Sequence, residues 1–329
     1  MQQKASFRRT VALVFLALAL ILGVGVAVYV YSARQQIFSK NPSQPALFSA
    51  ATPQPSCTTP SHAAGDHIDT IVSSGVQRSL LVHLPPSYGQ HPQPLVVSYH
   101  GYSWTVQNME HNTQTASEAD KAGFVLVFPQ GLDSPPTWNA GVGAYGPTGA
   151  ADDIQFTRDL FSYMQKQYCI DTQRIYVTGF SLGGGMAYRV ACRLSNQIAA
   201  LATVSGAYYP LPEGCHPARP LPVLEIHGAA DTQAPYAGNP TRHMAGVQDY
   251  LNIWLDIDKC DHTSHAFFQQ GDVTGREWTR CAPGVTVKHY RISDGGHSWP
   301  GTPNTTHVIN ANEVIWQFFS NYRLPAAAK

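Results

Sequence analysis

The sequence predicts an α/β protein in which helices cover both faces of a mostly parallel central sheet. Two observations lead to this prediction. Short runs of β-branched and apolar residues alternate with amphipathic stretches of helical period along residues 61–325. A serine flanked by glycines, Ser181, stands between one such run and the helix predicted after it. Strand–helix alternation is typical of parallel sheets, because the helix that joins two parallel strands packs back onto the sheet.

The strands are predicted from runs with strand composition that are bounded by turn residues. Residues 67–72 and 78–84 form a strand pair around the turn Ser73-Ser74-Gly75. The remaining predicted strands are short and largely apolar, as expected for buried strands. They occupy residues 95–99, 124–128, 174–178, 200–205, 222–226 and 285–292.

The helices are predicted from apolar residues that recur every three or four positions. They occupy residues 115–122, 152–168, 182–194, 241–258 and 310–322. In residues 152–168 the apolar stripe is formed by Phe156, Leu160, Met164 and Tyr168. Asn310 precedes the last helix and is its predicted N-cap.

The N-terminus carries a membrane-targeting pattern. Lys4, Arg8 and Arg9 precede the uncharged, mostly apolar residues 11–31, which would be roughly 30 Å long as a helix. Positive charges before such a stretch predict that everything after it is exported. Residues 1–34 are therefore interpreted as a signal anchor or a cleaved signal peptide, and the length favours the anchor.

The rest of the chain divides into a linker and a domain. Residues 35–60 are rich in Pro, Ser and Thr and form the linker, and residues 61–325 form a catalytic domain. Lys plus Arg and Asp plus Glu both number 21, and no basic run is present, so a nucleic-acid partner is not expected. The predicted location is extracytoplasmic, either secreted or anchored in the membrane by one N-terminal helix.

The chain has six cysteines, an even number that suits an oxidising compartment. Cys169 precedes a predicted strand, and Cys192 lies where the helix after Ser181 has returned to the same end of the sheet, so these two are predicted to pair. Cys260 and Cys281 flank a short polar excursion and are predicted to pair, which leaves Cys57 for Cys215. No C-x-x-C pair is present, and a metal site is not expected.

Residues 174–194 carry the strongest functional motif. The predicted strand leads into Gly179-x-Ser181-x-Gly183, and the predicted helix follows at once. This order is typical of the nucleophile elbow of the α/β-hydrolase fold, in which a tight turn exposes the serine hydroxyl above the end of the sheet. Ser181 is therefore the predicted nucleophile.

A serine nucleophile needs a general base and a group that orients the base. In the α/β-hydrolase fold the expected chain order is serine, acid, histidine. Asp231 follows a predicted strand and a glycine turn and is the predicted acid. His297 follows the last predicted strand on a glycine-rich loop and is the predicted base, whereas Asp294 is interpreted as a turn residue.

The oxyanion of the reaction intermediate needs backbone N–H donors. One is predicted to come from Leu182, directly after the nucleophile. The other is predicted to come from Tyr102, in the loop that follows residues 95–99. His100 in the same loop is interpreted as a residue that orients the loop rather than as a second base.

Aromatic residues are frequent on the predicted active-site loops. Beside Tyr102 they are Trp104, Trp138, Tyr236 and Trp299. As a set they are candidates for binding an aromatic or sugar ring of the substrate. Nucleotide-binding and zinc-protease motifs are absent from the sequence, and no cofactor is expected.

Several short motifs together resemble one group of enzymes, and they span about residues 67–322. They are His100-Gly101, Phe128-Pro129-Gln130-Gly131, Trp138-Asn139, Asp152-Asp153-Ile154, Gly179-Phe180-Ser181-Leu182-Gly183-Gly184-Gly185-Met186, His227-Gly228-x-x-Asp231 and Gly295-Gly296-His297-Ser298-Trp299-Pro300. The chain resembles the secreted feruloyl esterase and polyhydroxybutyrate depolymerase-like hydrolases, which are related to the first carbohydrate esterase family. Five cysteines also look like those of fungal-type feruloyl esterases: Cys169, Cys192, Cys215, Cys260 and Cys281.

The resemblance implies an α/β-hydrolase fold, no cofactor, and the roles already predicted for Ser181, Asp231 and His297. The function expected is a serine esterase that hydrolyses feruloyl esters of plant polysaccharide through an acyl-enzyme. An alternative is a hydrolase of hydroxyalkanoate oligomers or of short acyl esters of the acetylxylan type. Acyl transfer to a sugar, and a non-catalytic surface binding protein on the same scaffold, are further alternatives.

Overall fold

The structure is a computed structural model that describes Cys57 and residues 62–143 and 152–325. These residues belong to one compact unit, Gln54–Lys329. The predicted segment 1–34 and, apart from Cys57, the predicted linker 35–60 lie outside the described residues. Among the residues that the structure describes, no helix is both long and apolar enough to cross a membrane.

A ten-stranded sheet forms the centre of the described domain, with the strand order β1-β2-β4-β3-β5-β6-β7-β10-β9-β8. The strands are β1 (Gly65–Ser73), β2 (Val76–Leu84), β3 (Gln93–Tyr99), β4 (Val125–Pro129), β5 (Ile170–Phe180), β6 (Ala200–Val204), β7 (Val223–Gly228), β8 (His265–Gln270), β9 (Val273–Trp278) and β10 (Val287–Ile292).

The middle of this sheet is parallel, and both of its ends are antiparallel. From β4 to β10 all neighbouring strands run in the same direction. The hairpin β1–β2 closes one edge and the hairpin β9–β8 closes the other. The prediction of a mostly parallel central sheet is therefore confirmed. The hairpin β8–β9 lies within the stretch interpreted from the sequence as a short polar excursion.

Helices pack on both faces of the sheet. They are α1 (Val106–Thr113), α2 (Thr115–Ala122), α3 (Asp153–Gln167), α4 (Leu182–Leu194), α5 (Val247–Ile257) and α6 (Ala311–Phe319). The apolar side chains of α3, α4 and α5 share one core cluster, and those of α1, α2 and α6 share the cluster on the opposite face. Alternate residues of a strand enter different clusters, as period-two geometry requires: Val97 faces the first and Val96 the second.

The helix predicted over residues 241–258 begins later than expected. Residues Pro240–Arg242 form a single 3₁₀ turn, capped by the Asn239 side chain. His243 then adopts a left-handed conformation, with φ of 54°, and Asn239 pairs with Met244 through their backbones. The chain therefore doubles back before α5.

The disulfides differ from two of the three predicted pairs. Cys260 is joined to Cys281, as predicted, but Cys57 is joined to Cys169 and Cys192 to Cys215. The predicted pairs Cys169–Cys192 and Cys57–Cys215 are wrong.

The reason for these two errors is the loop after β6, which runs back along α4. In this loop Glu213 forms an ion pair with Arg189 of α4, at 2.9 Å. The backbone N–H of Ala218 donates to the Ser195 hydroxyl at the end of the helix. The loop thereby brings its own cysteine to Cys192. A shared position at one end of the sheet was therefore not a sufficient ground for predicting that Cys192 pairs with Cys169.

One ion pair is buried beneath the loops at the carboxyl ends of the strands. An Arg78 nitrogen lies 2.9 Å from an Asp153 oxygen, and both side chains are almost completely buried. The other Asp153 oxygen accepts a hydrogen bond from the backbone N–H of Asn139. Burial raises the pKa of Asp153, and Arg78 and this N–H act against that rise. The pair joins β2, the loop at Asn139 and the start of α3.

Candidate active site

Ser181 stands in the turn between β5 and α4, in a strained conformation. Its φ is 56° and its ψ is −122°, a backbone geometry that side-chain-bearing residues rarely adopt. The turn is held by the Ser181 N–H, which donates to the carbonyl of Val204, and by the Ser181 carbonyl, which accepts from Ala207 N–H. A Cβ added to Gly179 would overlap the carbonyl of Gly183. The glycines of the motif are therefore required by close backbone approach.

Asp231 and His297 meet beside this turn. The His297 Nδ1 lies 2.7 Å from one carboxylate oxygen of Asp231. The other Asp231 oxygen accepts hydrogen bonds from the backbone N–H groups of Gln233 and Ala234, each at 2.8 Å. Burial would raise the pKa of Asp231, but the hydrogen bonds from His227, His297 and Ala234 outweigh it and hold that pKa far below its usual range. Asp231 is thus an ionised carboxylate fixed on both oxygens.

Two backbone contacts bring the Asp231 loop and the His297 loop together. β7 and β10 are parallel neighbours, so their following loops leave the same edge of the sheet. The Ala230 N–H donates to the Gly295 carbonyl, and the Ala229 N–H donates to the Ile292 carbonyl. The fold therefore places acid and histidine side by side although they are 66 positions apart in the sequence.

A cavity of about 670 Å³ opens beside these groups, at the carboxyl ends of the strands. Ser181, Leu182, His297 and Tyr102 all line it. Its remaining lining residues are Gly101, Ser103, Trp104, Asn112, Phe180, Ala207, Tyr209, Thr232, Gln233, Arg242, Met244, Ser298, Trp299, Thr302, Pro303 and Thr305. Its volume lies in the range of small-molecule sites.

His100 supports the loop that carries Tyr102. The side chain is fully buried, its Nδ1 lies 2.8 Å from the Gly101 carbonyl, and its Nε2 accepts from the Gly131 N–H. One ring nitrogen therefore donates and the other accepts, which defines a neutral imidazole. Burial lowers the pKa of His100 to about 4. His100 thus orients the loop, as interpreted from the sequence.

Two of the four aromatic substrate-binding candidates do not border the cavity. Trp138 is fully buried, and its indole N–H donates to the His100 carbonyl at 2.9 Å. The Tyr236 hydroxyl lies 2.7 Å from Nε2 of His289, behind the Asp231 turn. Both predictions are wrong, because these side chains stabilise the loops from within.

The other two aromatic candidates, Trp104 and Trp299, line the cavity. The Trp104 ring stacks on Phe180, with 5.0 Å between ring centroids, and the Phe180 ring lies 4.7 Å from that of His297. Trp299 is only 3% exposed, and its indole N–H donates to Asn312. Trp104 is therefore the more accessible of the two.

Sequence reasoning missed the polar side of the cavity. Thr232, Gln233 and Arg242 line it from the Asp231 side, and Thr302 and Thr305 line it from beyond His297. Their only sequence signal is proximity to the predicted acid and base, which does not show where a side chain points. Within the described part of the chain, no group of three or more His, Cys, Asp or Glu side chains could hold a metal ion.

Comparisons with known proteins agree with this geometry. The chain is 29% identical over 254 residues to a bifunctional acetylxylan esterase/xylanase of Neocallimastix patriciarum, covering 75% of this chain and 34% of that protein. It is 29% identical over 262 residues to feruloyl esterase B of Piromyces equi, covering 75% of this chain and 46% of that protein. The match therefore spans less than half the length of either relative.

A solved structure shares the fold. The acetyl xylan esterase from Aspergillus awamori superposes with a TM-score of 0.57, covering 78% of this chain and 99% of that one at 15% identity. This likeness shows the α/β-hydrolase fold, and the relatives that match the chain are named esterases. The Esterase PHB depolymerase family model matches residues 78–239. The resemblance to feruloyl esterase and polyhydroxybutyrate depolymerase-like esterases is therefore confirmed.

Proposed function

We propose that the protein is a serine esterase whose catalytic groups are Ser181, His297 and Asp231. The observation that carries the proposal is the 2.7 Å contact between the ionised Asp231 and His297, which lines one cavity together with the strained Ser181. Asp231 holds the proton of His297 on Nδ1, which leaves Nε2 as the acceptor for the Ser181 proton.

In the proposed reaction, Ser181 Oγ attacks the ester carbonyl while His297 takes its proton. The N–H groups of Leu182 and Tyr102 donate to the oxyanion; both residues line the cavity. His297 then protonates the leaving alcohol, and water activated by His297 releases the acid from Ser181. Asp231 stabilises the imidazolium formed in each half-reaction.

A fluorophosphonate probe and the Ser181→Ala variant test this assignment. We expect the probe to label the wild type at Ser181, and Ser181→Ala to lose on the order of 10⁶ in kcat. Ser195→Ala is the matched control, because Ser195 lies at the far end of α4, where its hydroxyl accepts from the Ala218 N–H. More than about one hundredth of wild-type kcat in Ser181→Ala would contradict the assignment.

For the substrate, we propose feruloyl esters of plant polysaccharide. The stacked rings of Trp104 and Phe180 form an aromatic wall beside His297, and they suit a phenolic acyl group. The relative named feruloyl esterase B supports the same class. The alternative substrates are hydroxyalkanoate oligomers, supported by the matching family model, and short acyl esters, supported by the acetylxylan relative.

Rates on methyl ferulate, p-nitrophenyl acetate to octanoate and hydroxybutyrate oligomers separate these substrate classes. We expect the highest kcat/KM on methyl ferulate. Trp104→Leu should lower that value about 2- to 10-fold, with less effect on the acetyl ester, because ring stacking contributes about 0.5–1.5 kcal/mol. Trp316→Leu is the matched control, since Trp316 stacks on Phe124 outside the cavity. Ferulate turnover near background would move the substrate to polyester or small esters.

For the location, we propose that the domain works outside the cytoplasm, with residues 1–34 as anchor or signal peptide. The three disulfides of the described residues support this, because disulfides persist in oxidising compartments. N-terminal analysis of the protein from fractionated cells tests it. An intact N-terminus in the membrane fraction indicates an anchor, and a new N-terminus near residue 34 indicates cleavage. A cytosolic protein with reduced cysteines would contradict the proposal.

A further inference from the structure

A line of buried polar side chains continues from Asp231 into the sheet, away from the cavity. Glu225 and His227 are two positions apart on β7, so they share a face, and His289 of β10 is the register partner of Glu225. The side chains of Glu225, His227 and His289 are 0%, 1% and 5% exposed. The three residues and Asp231 are called the Glu225 network below.

His227 lies at the centre of the Glu225 network, with an acceptor at each ring nitrogen. Its Nδ1 lies 2.7 Å from a Glu225 oxygen, and its Nε2 lies 2.8 Å from the Ala234 carbonyl and 3.5 Å from Asp231 Oδ2. A carbonyl oxygen cannot donate, so Nε2 carries a hydrogen, and the ionised Glu225 requires one on Nδ1 as well. His227 is therefore an imidazolium.

The electrostatics of the Glu225 network agree with this geometry. Burial would lower the pKa of His227, but Glu225, Asp231 and the Ala234 carbonyl outweigh it and raise that pKa to about 10. Burial would raise the pKa of Glu225, but His227 and His289 lower it to about 2. At neutral pH the network therefore holds a positive charge between two carboxylates.

The surrounding groups leave this charge distribution in place. The Tyr208 hydroxyl donates to Glu225 Oε1 at 3.2 Å, and His289 Nδ1 lies 2.6 Å from Glu225 Oε2. The Tyr236 ring lies roughly perpendicular to the His227 ring, with 5.8 Å between centroids, and the Arg291 guanidinium lies over the Tyr236 ring. None of these groups stands between His227 and Asp231.

We propose that His227 is a positioning residue for the reaction: it fixes the Asp231 turn through Ala234 and shares the Asp231 carboxylate with His297. The proposal rests on the catalytic roles proposed above. The Ala234 carbonyl accepts from His227, and the Ala234 N–H donates to Asp231. His227 therefore fixes the residue whose backbone holds the Asp231 carboxylate. The positive charge of His227 also weakens the electrostatic attraction between Asp231 and the protonated form of His297.

This moderating effect predicts a shift in the pH profile. The two rings contact the same Asp231 oxygen, at 3.5 and 2.7 Å. Two charges roughly 6 Å apart at an effective dielectric constant of about 20 to 40 change a protonation equilibrium by about 1–2 pH units. Loss of the positive charge on His227 favours proton uptake at the catalytic site next to Asp231. The acid limb of kcat/KM should therefore move upward.

The experiment compares His227→Gln with the wild type, both as full-length protein. The glutamine side chain of this variant can donate hydrogen bonds only from its NH₂ end, and it carries no charge. We expect the acid limb of kcat/KM for p-nitrophenyl acetate to move upward by about 1–2 pH units, with less than about a tenfold loss on the plateau. His83→Gln is the matched control, because His83 also lies between two carboxylates, at 2.6 and 3.0 Å, but outside the cavity.

Three outcomes would overturn the proposal. An acid limb within about 0.3 pH units of the wild type, in a folded His227→Gln variant, contradicts the positioning role. If that variant does not fold because Glu225 is left uncompensated, the double variant Glu225→Gln/His227→Gln removes both charges. We expect a smaller upward shift of the acid limb of kcat/KM in the double variant. An unchanged acid limb in it would equally contradict the positioning role. Equal shifts in His83→Gln would show a general effect of losing any histidine.

Fluorophosphonate labelling separates this proposal from the proposed function. Failure to label Ser181 in the wild type would overturn the catalytic assignment, and the positioning role with it. Normal labelling with an unmoved limb would overturn the positioning role alone. ¹⁵N NMR of labelled histidine adds a readout without activity: we expect an imidazolium signal that persists to about pH 9 and is lost in His227→Gln.

Discussion

Replacing Asp231 with asparagine should leave the fold intact and prevent His297 from acting as the general base. The carboxylate has two distinct sides: Oδ1 accepts from the N–H groups of Gln233 and Ala234, and Oδ2 faces His297 and His227. The N–H groups of Gln233 and Ala234 need an acceptor, and in the asparagine side chain only the amide oxygen can accept from them. Its NH₂ group must therefore face His297.

This orientation reverses the hydrogen bonding of His297. Facing an NH₂ donor, Nδ1 has to accept, so the proton of the neutral ring moves to Nε2 and points toward the serine. The ring then cannot take the Ser181 proton. The same change in a serine protease lowers kcat on the order of 10⁴, which corresponds to about 5.5 kcal/mol of transition-state stabilisation.

Steady-state hydrolysis of p-nitrophenyl acetate at about pH 7.5 measures this loss. Thermal unfolding confirms that the variant is folded. Asp294→Asn is the matched control: Asp294 is exposed in the loop before His297 and should keep near wild-type kcat. If Asp231→Asn retained more than about a tenth of wild-type kcat, or if Asp294→Asn lost as much, the assignment of the acid would be refuted.

Three further predictions concern stability. Arg78→Met leaves a buried carboxylate unpaired and should lower the unfolding free energy by about 3–5 kcal/mol in urea titrations; an unchanged midpoint would contradict the buried pair. Gly183→Ala forces a Cβ into a backbone carbonyl of β3 and should cost about 1–3 kcal/mol or more, whereas the control Gly296→Ala, with nothing within 4 Å, should not. Replacing Cys192 and Cys215 with alanine should destabilise by about 3 kcal/mol, and a melting temperature within about 2 °C of wild type would argue against that bridge.

The central fold could be predicted from the sequence because its signals are local. The strand, the glycines and the helix around Ser181 are contiguous, and α4 spans Leu182–Leu194 as predicted. Asp231 and His297 were predicted because each follows a strand, and parallel strands deliver their carboxyl ends to one edge. The structure brings these two side chains into contact, while their catalytic roles stay a proposal.

The directions and contacts of individual side chains were harder to predict, because they depend on neighbours that are distant in the sequence. Trp138 and Tyr236 lie on the expected loops but point inward, since His100 and His289 provide partners for their polar atoms. The hairpin β8–β9 escaped prediction because β8 is exposed or half-exposed throughout and carries little hydrophobic alternation. His227 belongs to a motif noted in the sequence, but its charge could not be predicted, because that charge arises from a carbonyl and two carboxylates that only folding assembles.

The disulfide between Cys57 and Cys169 has a mechanical consequence. Cys169 directly precedes β5, which pairs with β3 on one side and β6 on the other, and Cys57 precedes the edge strand β1. A force that pulls on the residues before Cys57 is transmitted through the covalent bridge to β5, in the interior of the sheet. The load therefore bypasses the edge hairpin, so it does not peel β1 from β2, and it reaches the strand that leads to Ser181, which is held by a neighbouring strand on each side.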